Sequence, residues 1–137
     1  ISNISSELKR DDQGGSVSFN NVRSLAELKL ELQTLSNVPT MLDFYADWCV
    51  ACLEYEKYTF ANPEVVIAMK KFNLIKADVT DNNNEDRILL ETFSLFGPPA
   101  ILFFDKEGNH LKQFDVVGFK KPEEFHLLLD RVLNYDN

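Results

Sequence analysis

The sequence predicts an α/β fold in which a central mixed β-sheet carries helices on both faces. Apolar runs of strand length alternate with stretches of helical periodicity, and a short turn separates the last two strand-like runs. Alternating strands and helices form parallel strand pairs, whereas a terminal hairpin adds antiparallel ones. A chain of 137 residues is long enough for one such domain. The predicted element order is β-α-β-α-β-α-β-β-α.

The strands are predicted from short apolar runs that turn residues bound on both sides. We expect them over residues 17–22, 40–45, 72–79, 100–104 and 111–117. Asp105–Asn109 supplies the hairpin turn between the last two strands, and Gly118 predicts a bulge or bend where the hairpin ends. One residue does not fit the pattern, because Asp43 stands in the second run at a position where an apolar side chain is expected.

The helices are predicted from apolar residues at helical spacing and from residues that favour a helix start. We expect four of them, beginning near residues 25, 49, 85 and 122, and the second is expected to restart at residue 63. Asn62 and Pro63 are a typical N-cap and first helical residue, and Pro122 opens the last helix. The 11 phenylalanines are most simply explained as core residues.

Residues 1–16 differ from the rest of the chain. They are polar, contain Gly14 and Gly15, and have no periodicity, so we expect a flexible N-terminal arm there and one folded domain over residues 17–137. The chain begins with Ile1 rather than Met, from which we expect a piece processed or excised from something longer. The missing signal peptide therefore says little about where the parent protein is located.

Composition and charge exclude some partners. The formal net charge is −8, from 14 Lys and Arg residues against 22 Asp and Glu residues. A strongly acidic surface repels phosphate backbones, so we expect no nucleic acid partner. The acidic residues are spread along the chain, which is typical of a solvated surface. No run in the sequence approaches the roughly 20 apolar residues that a membrane-spanning helix needs.

The motif that carries chemistry is Cys49-Val50-Ala51-Cys52, which follows a predicted strand and opens a predicted helix. A helix N-terminus offers free N–H groups and a partial positive charge, and both favour a thiolate. We expect Cys49 to lie at the exposed end of the helix and Cys52 about one turn inside. Cys49 would then attack a partner's disulfide, and Cys52 would resolve the mixed disulfide.

Two other roles for the cysteines compete with a redox pair. A zinc site needs about four ligands, but the chain has two cysteines, and His110 and His126 are not paired at ligand spacing. The cysteines could also be inert core residues. A domain of this size needs no disulfide to fold, yet two inert cysteines at this spacing, behind a strand and at a helix start, would be unusual.

Two motifs resemble the thioredoxin superfamily. The stretch Asp43–Cys52 is similar to the active-site segment of that family, and Gly97–Ala100 resembles its cis-proline loop. The resemblance covers the chain from about Val17 to Asn134. It implies the thioredoxin fold, and it implies that Pro99 is the cis residue.

A closer resemblance is to the C-terminal periplasmic domains of the DsbD family of membrane thiol:disulfide interchange proteins. It is carried by Tyr45–Cys52, by Glu54 and by the run Glu56–Phe60. Ordinary thioredoxins usually carry Gly-Pro between the cysteines, where this chain has Val-Ala. Pro98, directly before the expected cis-proline, is a small departure from the family pattern that should stiffen the loop.

The resemblance implies an electron relay. In that family the domain takes electrons from the membrane-embedded domain of the same protein and passes them to its N-terminal periplasmic domain, so these two domains are the implied partners. It also implies a periplasmic location, as a soluble domain of a bacterial inner-membrane protein, and a monomeric isolated domain. The resemblance implies no cofactor and no metal, because the Cys49–Cys52 disulfide is itself the redox-active group.

Two carboxylates are predicted to tune the site. By resemblance, Asp43 matches the buried aspartate beneath the thioredoxin site and relays protons to and from Cys52 through water; a surface aspartate on an edge strand is the alternative. Glu56 lies one turn after Cys52 on the same helical face, where a merely solvated carboxylate is the alternative. Nearby carboxylates oppose a thiolate, so we expect a raised pKa for Cys49 and a reducing couple. In thioredoxin the equivalent of Lys76 neutralises the aspartate, which requires that their strands be neighbours.

The residues that bind a partner are predicted around the motif. The resemblance implies that Pro99 faces the cysteines and that the backbone before it pairs with a partner segment. Pro98, Val50 and Ala51 belong to the same predicted surface. Trp48 joins them, with a packed aromatic as the alternative.

Two competing functions stay open. A general thiol oxidant or isomerase has the same fold, but such proteins often carry His between the cysteines, where this chain has Val50 and Ala51. A redox-inactive thioredoxin-like interaction module is the second, but such modules often lose one cysteine and this chain keeps both.

Overall fold

The computed structural model describes residues 16–34 and 37–135. Its strands are β1 Asn20–Val22, β2 Thr40–Tyr45, β3 Asn73–Asp78, β4 Ala100–Phe104 and β5 Val116–Val117. They form one sheet in the order β1-β3-β2-β4-β5. β3 is parallel to both β1 and β2, whereas β4 is antiparallel to both β2 and β5. The prediction of a central mixed sheet is confirmed.

Helices cover both faces of this sheet, as predicted. They are α1 Leu25–Thr34, α2 Val50–Glu54, α3 Pro63–Met69, α4 Asn84–Thr92 and α5 Pro122–Leu133. α2 runs directly into a π-helical segment, Tyr55–Thr59, which we call the π segment. Buried residues of α1 and α4 pack against one face of the sheet, and those of the π segment, α3 and α5 pack against the other.

The alternation of side chains along β2 separates the two halves of the core. Leu42 and Phe44 belong to the cluster under α1 and α4, whereas Met41 belongs to the cluster under α3 and α5. All three side chains are fully buried, because β2 has strands on both sides and helices on both faces. Asp43 therefore lies in a central strand that is enclosed on both faces.

The predicted return strand over residues 111–117 is wrong in most of its length. The chain makes one isolated bridge between Phe104 and His110, then a 3₁₀ turn over Lys112–Phe114, and only then the short β5. Leu111 and Phe114 are both buried. Residues three apart share a side in a 3₁₀ turn but not in a strand, so the turn lets both enter the core.

The predicted first strand is also too long. β1 begins at Asn20, and Val17 and Phe19 precede it as partly buried residues packed against the core. The predicted arm over residues 1–16 lies outside the described residues apart from Ser16, and so do the last two residues of the predicted domain, 136 and 137.

The sheet brings two predicted site segments to one edge. β2 ends at Tyr45, and β4 begins at Ala100, which pairs with Phe44 in the antiparallel ladder. The segment that leaves β2 leads into Cys49–Cys52, and the segment that enters β4 is Gly97–Pro99. Both segments therefore lie at the same end of the central strand pair.

Candidate redox site

Cys49 and Cys52 lie at the start of α2 and form a disulfide, with their Cα atoms 5.2 Å apart. Cys49 is the N-cap of the helix, and its Sγ accepts a hydrogen bond from the backbone N–H of Cys52 at 3.1 Å. The first N–H groups of a helix have no partner within the helix. In the reduced protein this position favours a thiolate at Cys49.

The two sulfur atoms differ in surroundings more than in exposure. Cys49 is 6% exposed and Cys52 is 3% exposed, so the contrast expected from the sequence is small in the disulfide form. Cys52 Sγ lies 3.8 Å from the backbone oxygen of Phe44. A carbonyl dipole at this position favours a protonated thiol over a thiolate at Cys52. Trp48 is 59% exposed and Val50 is 70% exposed, so the residues on either side of Cys49 lie at the protein surface.

The turn between β2 and α2 is held by the loop that follows β3. Thr80 Oγ1 accepts a hydrogen bond from the Asp47 backbone N–H at 2.8 Å, and the Thr80 carbonyl accepts one from Trp48 Nε1 at 2.9 Å. The Tyr45 hydroxyl donates to Asp47 Oδ1 at 3.0 Å; burial, followed by this hydrogen bond, raises the pKa of Tyr45 to about 12. These bonds fix the backbone that leads into Cys49.

Asp43 is the buried carboxyl group of the site. It is 4% exposed, and its register partners are Lys76 on β3 and Ile101 on β4. Loss of hydration raises the pKa of Asp43 from 3.8 to about 7; the charge of Lys76 opposes this rise, and the charge of Glu56 adds to it. The alternative of a surface aspartate on an edge strand is wrong.

Glu56 lies in the π segment and forms an ion pair with Lys76, with 3.0 Å between Oε2 and Nζ. The Glu56 side chain is 41% exposed and that of Lys76 is 19% exposed. Lys76 also lies over the Tyr45 ring, 4.6 Å from its centroid. Glu56 thus forms an ion pair with Lys76, whose charge acts on Asp43, and its role in tuning the site stays a prediction.

The Gly97–Pro99 segment carries the cis peptide bond that was expected there, between Pro98 and Pro99. The Pro99 carbonyl accepts a hydrogen bond from the backbone N–H of Gly118 at 3.3 Å. The next residue, Ala100, belongs to the same buried cluster as Cys49 and Cys52. The structure therefore brings this loop and the disulfide to one end of the sheet.

The histidines and carboxylates of the described residues form no group of three or more that could hold a metal ion. His110 Nε2 lies 2.8 Å from Asp115 Oδ1, and its ring stacks on that of Phe104. His126 lies on α5 and approaches Asp130 at 3.9 Å. Both histidines are thus engaged with single carboxylates outside the Cys49–Cys52 motif.

Comparison with known proteins agrees with this geometry. A family model described as thioredoxin-like matches residues 22–106. The C-terminal domain of Neisseria meningitidis DsbD in its oxidised form superposes with a TM-score of 0.69 and 32% sequence identity, over 84% of this chain and 99% of that domain. Its reduced form gives a TM-score of 0.66 and 34% identity, over 78% of this chain and 95% of that domain.

The chain belongs to the thioredoxin-like family, in the branch of the DsbD C-terminal domains. Among full-length relatives, the thiol:disulfide interchange protein DsbD of Ralstonia nicotianae is 46% identical over 119 residues, which are 85% of this chain and 19% of that protein. The chain thus spans about a fifth of such a relative's length. None of the helices in the described residues is both long and apolar enough to cross a membrane.

The coarse chemistry of this DsbD-like domain follows. A thioredoxin-like fold that carries a C-x-x-C disulfide at a helix start performs thiol–disulfide exchange, and the chain is a disulfide oxidoreductase of that class. The exchange needs no further group at the sulfur atoms, because the two cysteines hold the electron pair themselves.

Sequence reasoning missed one exposed aromatic at this end of the DsbD-like domain. Phe96, directly before Gly97, is fully exposed at 107%, although the phenylalanines were all assigned to the core. Its ring lines a pocket with Leu90 and Leu95, near the end of α4. A signal existed in the sequence, because a residue next to a Gly-Pro-Pro break is unsuited to the interior of a strand or helix.

Two further residues of the site were also missed. Thr80 holds the turn before Cys49, as described above. Tyr55 is 1% exposed and lies three residues after Cys52, and its hydroxyl donates to the Gly118 carbonyl at 2.7 Å. Both act through contacts with segments distant in the sequence, so spacing alone could not reveal them.

Proposed function

We propose that this DsbD-like domain relays electrons by dithiol–disulfide exchange. It takes them from a membrane-embedded domain of its parent protein and passes them to the N-terminal periplasmic domain, acting as a reductase of protein disulfides. The observation that carries the proposal is the Cys49–Cys52 pair at a helix N-cap in a chain that resembles DsbD C-terminal domains. The proposed location is the periplasm, with residues 17–137 as a monomeric redox domain and residues 1–16 as its arm.

The exchange conserves electrons and protons. In the reduced domain the Cys49 thiolate attacks the partner's disulfide, one partner sulfur leaves as a thiolate, and a mixed disulfide forms. Cys52 then loses its proton and attacks Cys49 Sγ, which releases the second partner sulfur. The domain ends with the Cys49–Cys52 disulfide, and the partner has gained two electrons. Its two thiolates take up two protons, one released by Cys52 and one from solvent, to which Cys49 lost its own proton when the thiolate formed.

We propose that Asp43 accepts the proton that Cys52 releases. Asp43 directly precedes Phe44, whose backbone carbonyl contacts Cys52 Sγ, and the proposed proton transfer between the carboxyl group and the sulfur passes through water. A carboxyl group with a pKa of about 7 is half-ionised at neutral pH, which suits both accepting and returning a proton. Glu56 takes part through its charge, since it adds to the raised pKa of Asp43.

The partner surface that we propose surrounds the disulfide. It consists of Trp48, Val50 and Ala51 on one side and of Pro98 and Pro99 on the other. Trp48 and Val50 are exposed, and the segments that carry both sides meet at one end of the sheet. A partner's disulfide bound between them would lie against Cys49.

Trapping tests this relay directly. In Cys52→Ala the resolving thiol is missing, so reduced protein mixed with the oxidised N-terminal periplasmic domain of the parent should accumulate a mixed disulfide through Cys49. The matched control is Cys49→Ala, which keeps one thiol of the pair but should trap little. Equal trapping by the two variants would remove the assignment of Cys49 as nucleophile, and trapping by neither would remove the relay.

The direction of transfer has its own measurement. A reductase should have a reduction potential nearer to that of thioredoxin, about −270 mV, than to that of the oxidant DsbA, about −120 mV. Equilibration of the Cys49–Cys52 pair with glutathione gives this value. A potential at the oxidising end would favour the competing function of a general thiol oxidant.

A further inference from the structure

Tyr55 is a buried residue that the proposed exchange does not use. It is the first residue of the π segment, three residues after Cys52, and is 1% exposed. Its ring stacks on Phe60 with 5.1 Å between centroids, and lies 5.0 Å from the ring of Phe119. Apolar packing explains the ring, but a phenylalanine would pack in the same way. The hydroxyl group therefore requires its own explanation.

The Tyr55 hydroxyl joins the redox helix to the loop that follows β5. It donates a hydrogen bond to the Gly118 carbonyl at 2.7 Å and accepts one from the backbone N–H of Lys120 at 3.1 Å. A buried hydroxyl group with both a donor and an acceptor satisfied is held in one position. The loop is thereby fixed to the helix that begins at Cys49.

The same loop also holds the segment before β4. Gly118 accepts the Tyr55 hydrogen bond with its carbonyl and donates its own N–H to the Pro99 carbonyl, at 3.3 Å. One residue thus connects Tyr55, on the helical segment that begins at Cys49, with the Gly97–Pro99 segment. Gly118 has a φ of 97°, a conformation that glycine adopts without a steric penalty.

We infer that Tyr55 is a positioning residue for protein substrates: through Gly118 it sets the place of the Pro99 loop relative to the Cys49–Cys52 disulfide. The inference rests on the proposed function, in which that loop binds the partner. A protein disulfide must fit between loop and helix, whereas a small disulfide needs only access to Cys49. Loss of the hydroxyl should therefore affect the two kinds of substrate differently.

The variant that tests this is Tyr55→Phe, with Thr59→Val as the matched control. Thr59 is also buried in the π segment, and its hydroxyl donates to the carbonyl of Lys120 at 2.8 Å, in the same loop but away from the Gly118 peptide. Both variants remove one hydroxyl group and keep the side-chain shape. A general loosening of the loop would affect both, whereas loss of the link to Pro99 would affect only Tyr55→Phe.

Each reduced protein is mixed with the oxidised N-terminal periplasmic domain of the parent, and separately with hydroxyethyl disulfide. Oxidation is followed by the fluorescence of Trp48, the single tryptophan of the chain. We expect Tyr55→Phe to slow the reaction with the protein roughly three- to tenfold, as a lost hydrogen bond allows, with less than a roughly twofold change for the small disulfide. Thr59→Val should react like the wild type with both.

A second measurement reports the link without any substrate. Hydrogen exchange at the Gly118 amide, which is bonded to Pro99, should become faster in Tyr55→Phe and stay unchanged in Thr59→Val. Unchanged exchange in Tyr55→Phe would overturn the inference, and so would equal slowing of both substrates or equal effects of both variants. If the wild type itself fails to react with the protein but reacts with hydroxyethyl disulfide, the proposed relay fails while the amide measurement still decides the role of Tyr55.

Discussion

Among the ion pairs of the described residues, Lys76 pairs with Glu56, at 3.0 Å between Nζ and Oε2, rather than with Asp43, its register partner on the neighbouring strand. Lys76 Nζ also lies over the rings of Tyr45 and Phe19, 4.6 and 5.0 Å from their centroids. Lys76 still lowers the pKa of Asp43, but loss of hydration is the larger effect. The charge of Lys76 therefore offsets only part of the effect of burial on the pKa of Asp43. Glu56, which is paired with Lys76, adds to the rise.

Glu56→Gln should lower the pKa of Asp43, by about one pH unit. The change removes a negative charge that acts on Asp43, and it releases Lys76 from its ion pair, so both effects favour the ionised carboxyl group. The measurement is an NMR titration of the Asp43 side-chain carboxyl carbon in the oxidised protein. Glu54→Gln is the matched control, because Glu54 is an exposed carboxylate only two residues away.

Lys76→Met gives the opposite sign and completes that test. Removing the positive charge that opposes the effect of burial should raise the pKa of Asp43 above its value of about 7. A shift in the same direction for Glu56→Gln and Lys76→Met would contradict an electrostatic origin. It would point instead to a change in the packing around Asp43.

Asp43→Asn should stabilise the oxidised protein at alkaline pH. In the folded state the pKa of Asp43 is about 7, against an ordinary value of 3.8, so between these values the folded protein binds a proton that the unfolded chain releases. The contribution of Asp43 to stability is thus highest below about pH 4, falls through this window, and stays reduced above about pH 7. Since one pKa unit corresponds to about 1.4 kcal/mol, we expect Asp43→Asn to add about 2 to 4 kcal/mol at pH 8.5.

Urea unfolding of the oxidised protein at pH 4.5 and pH 8.5 measures this effect. The gain from Asp43→Asn should be much smaller at the lower pH. Asp81→Asn is a control on an exposed carboxylate and should change stability little at either pH. An equal gain from Asp43→Asn at both values would mean that the amide simply packs better and that the carboxyl group does not titrate as described.

Much of the site could be predicted because it depends on neighbours in the sequence. The strand before Cys49, the helix after it and the N-cap position of Cys49 all follow from local patterns of residue type. The burial of Asp43 followed from the apolar residues on either side of it, Leu42 and Phe44, since a strand flanked in this way is central. The cis bond at Pro99 was expected only from resemblance to a family.

The remainder depended on contacts between segments that are far apart in the sequence. Lys76 pairs with Glu56 because of where the π segment that follows α2 places Glu56. The change from an α-helix to a π-helix cannot be predicted from the periodicity of the sequence. The short turn over Lys112–Phe114 was missed for a related reason. Leu111 and Phe114 are three residues apart, which does not fit a strand, but Val116 and Val117 follow directly and favoured one strand over the whole run. The burial of both Leu111 and Phe114 is seen only in the folded structure.

Gly118→Ala should lower the free energy of unfolding by about 1 to 2 kcal/mol, because Gly118 has a φ of 97°, which a side chain disfavours. Gly97→Ala is the matched control: an added Cβ meets no other heavy atom within 4 Å at either glycine, but only Gly118 of the two has a positive φ. We expect a change below about 0.5 kcal/mol for Gly97→Ala, or a slight gain from reduced freedom of the unfolded chain. Urea unfolding of both variants decides this, and equal losses would mean that the backbone conformation at Gly118 is not what requires glycine next to the Pro99 carbonyl.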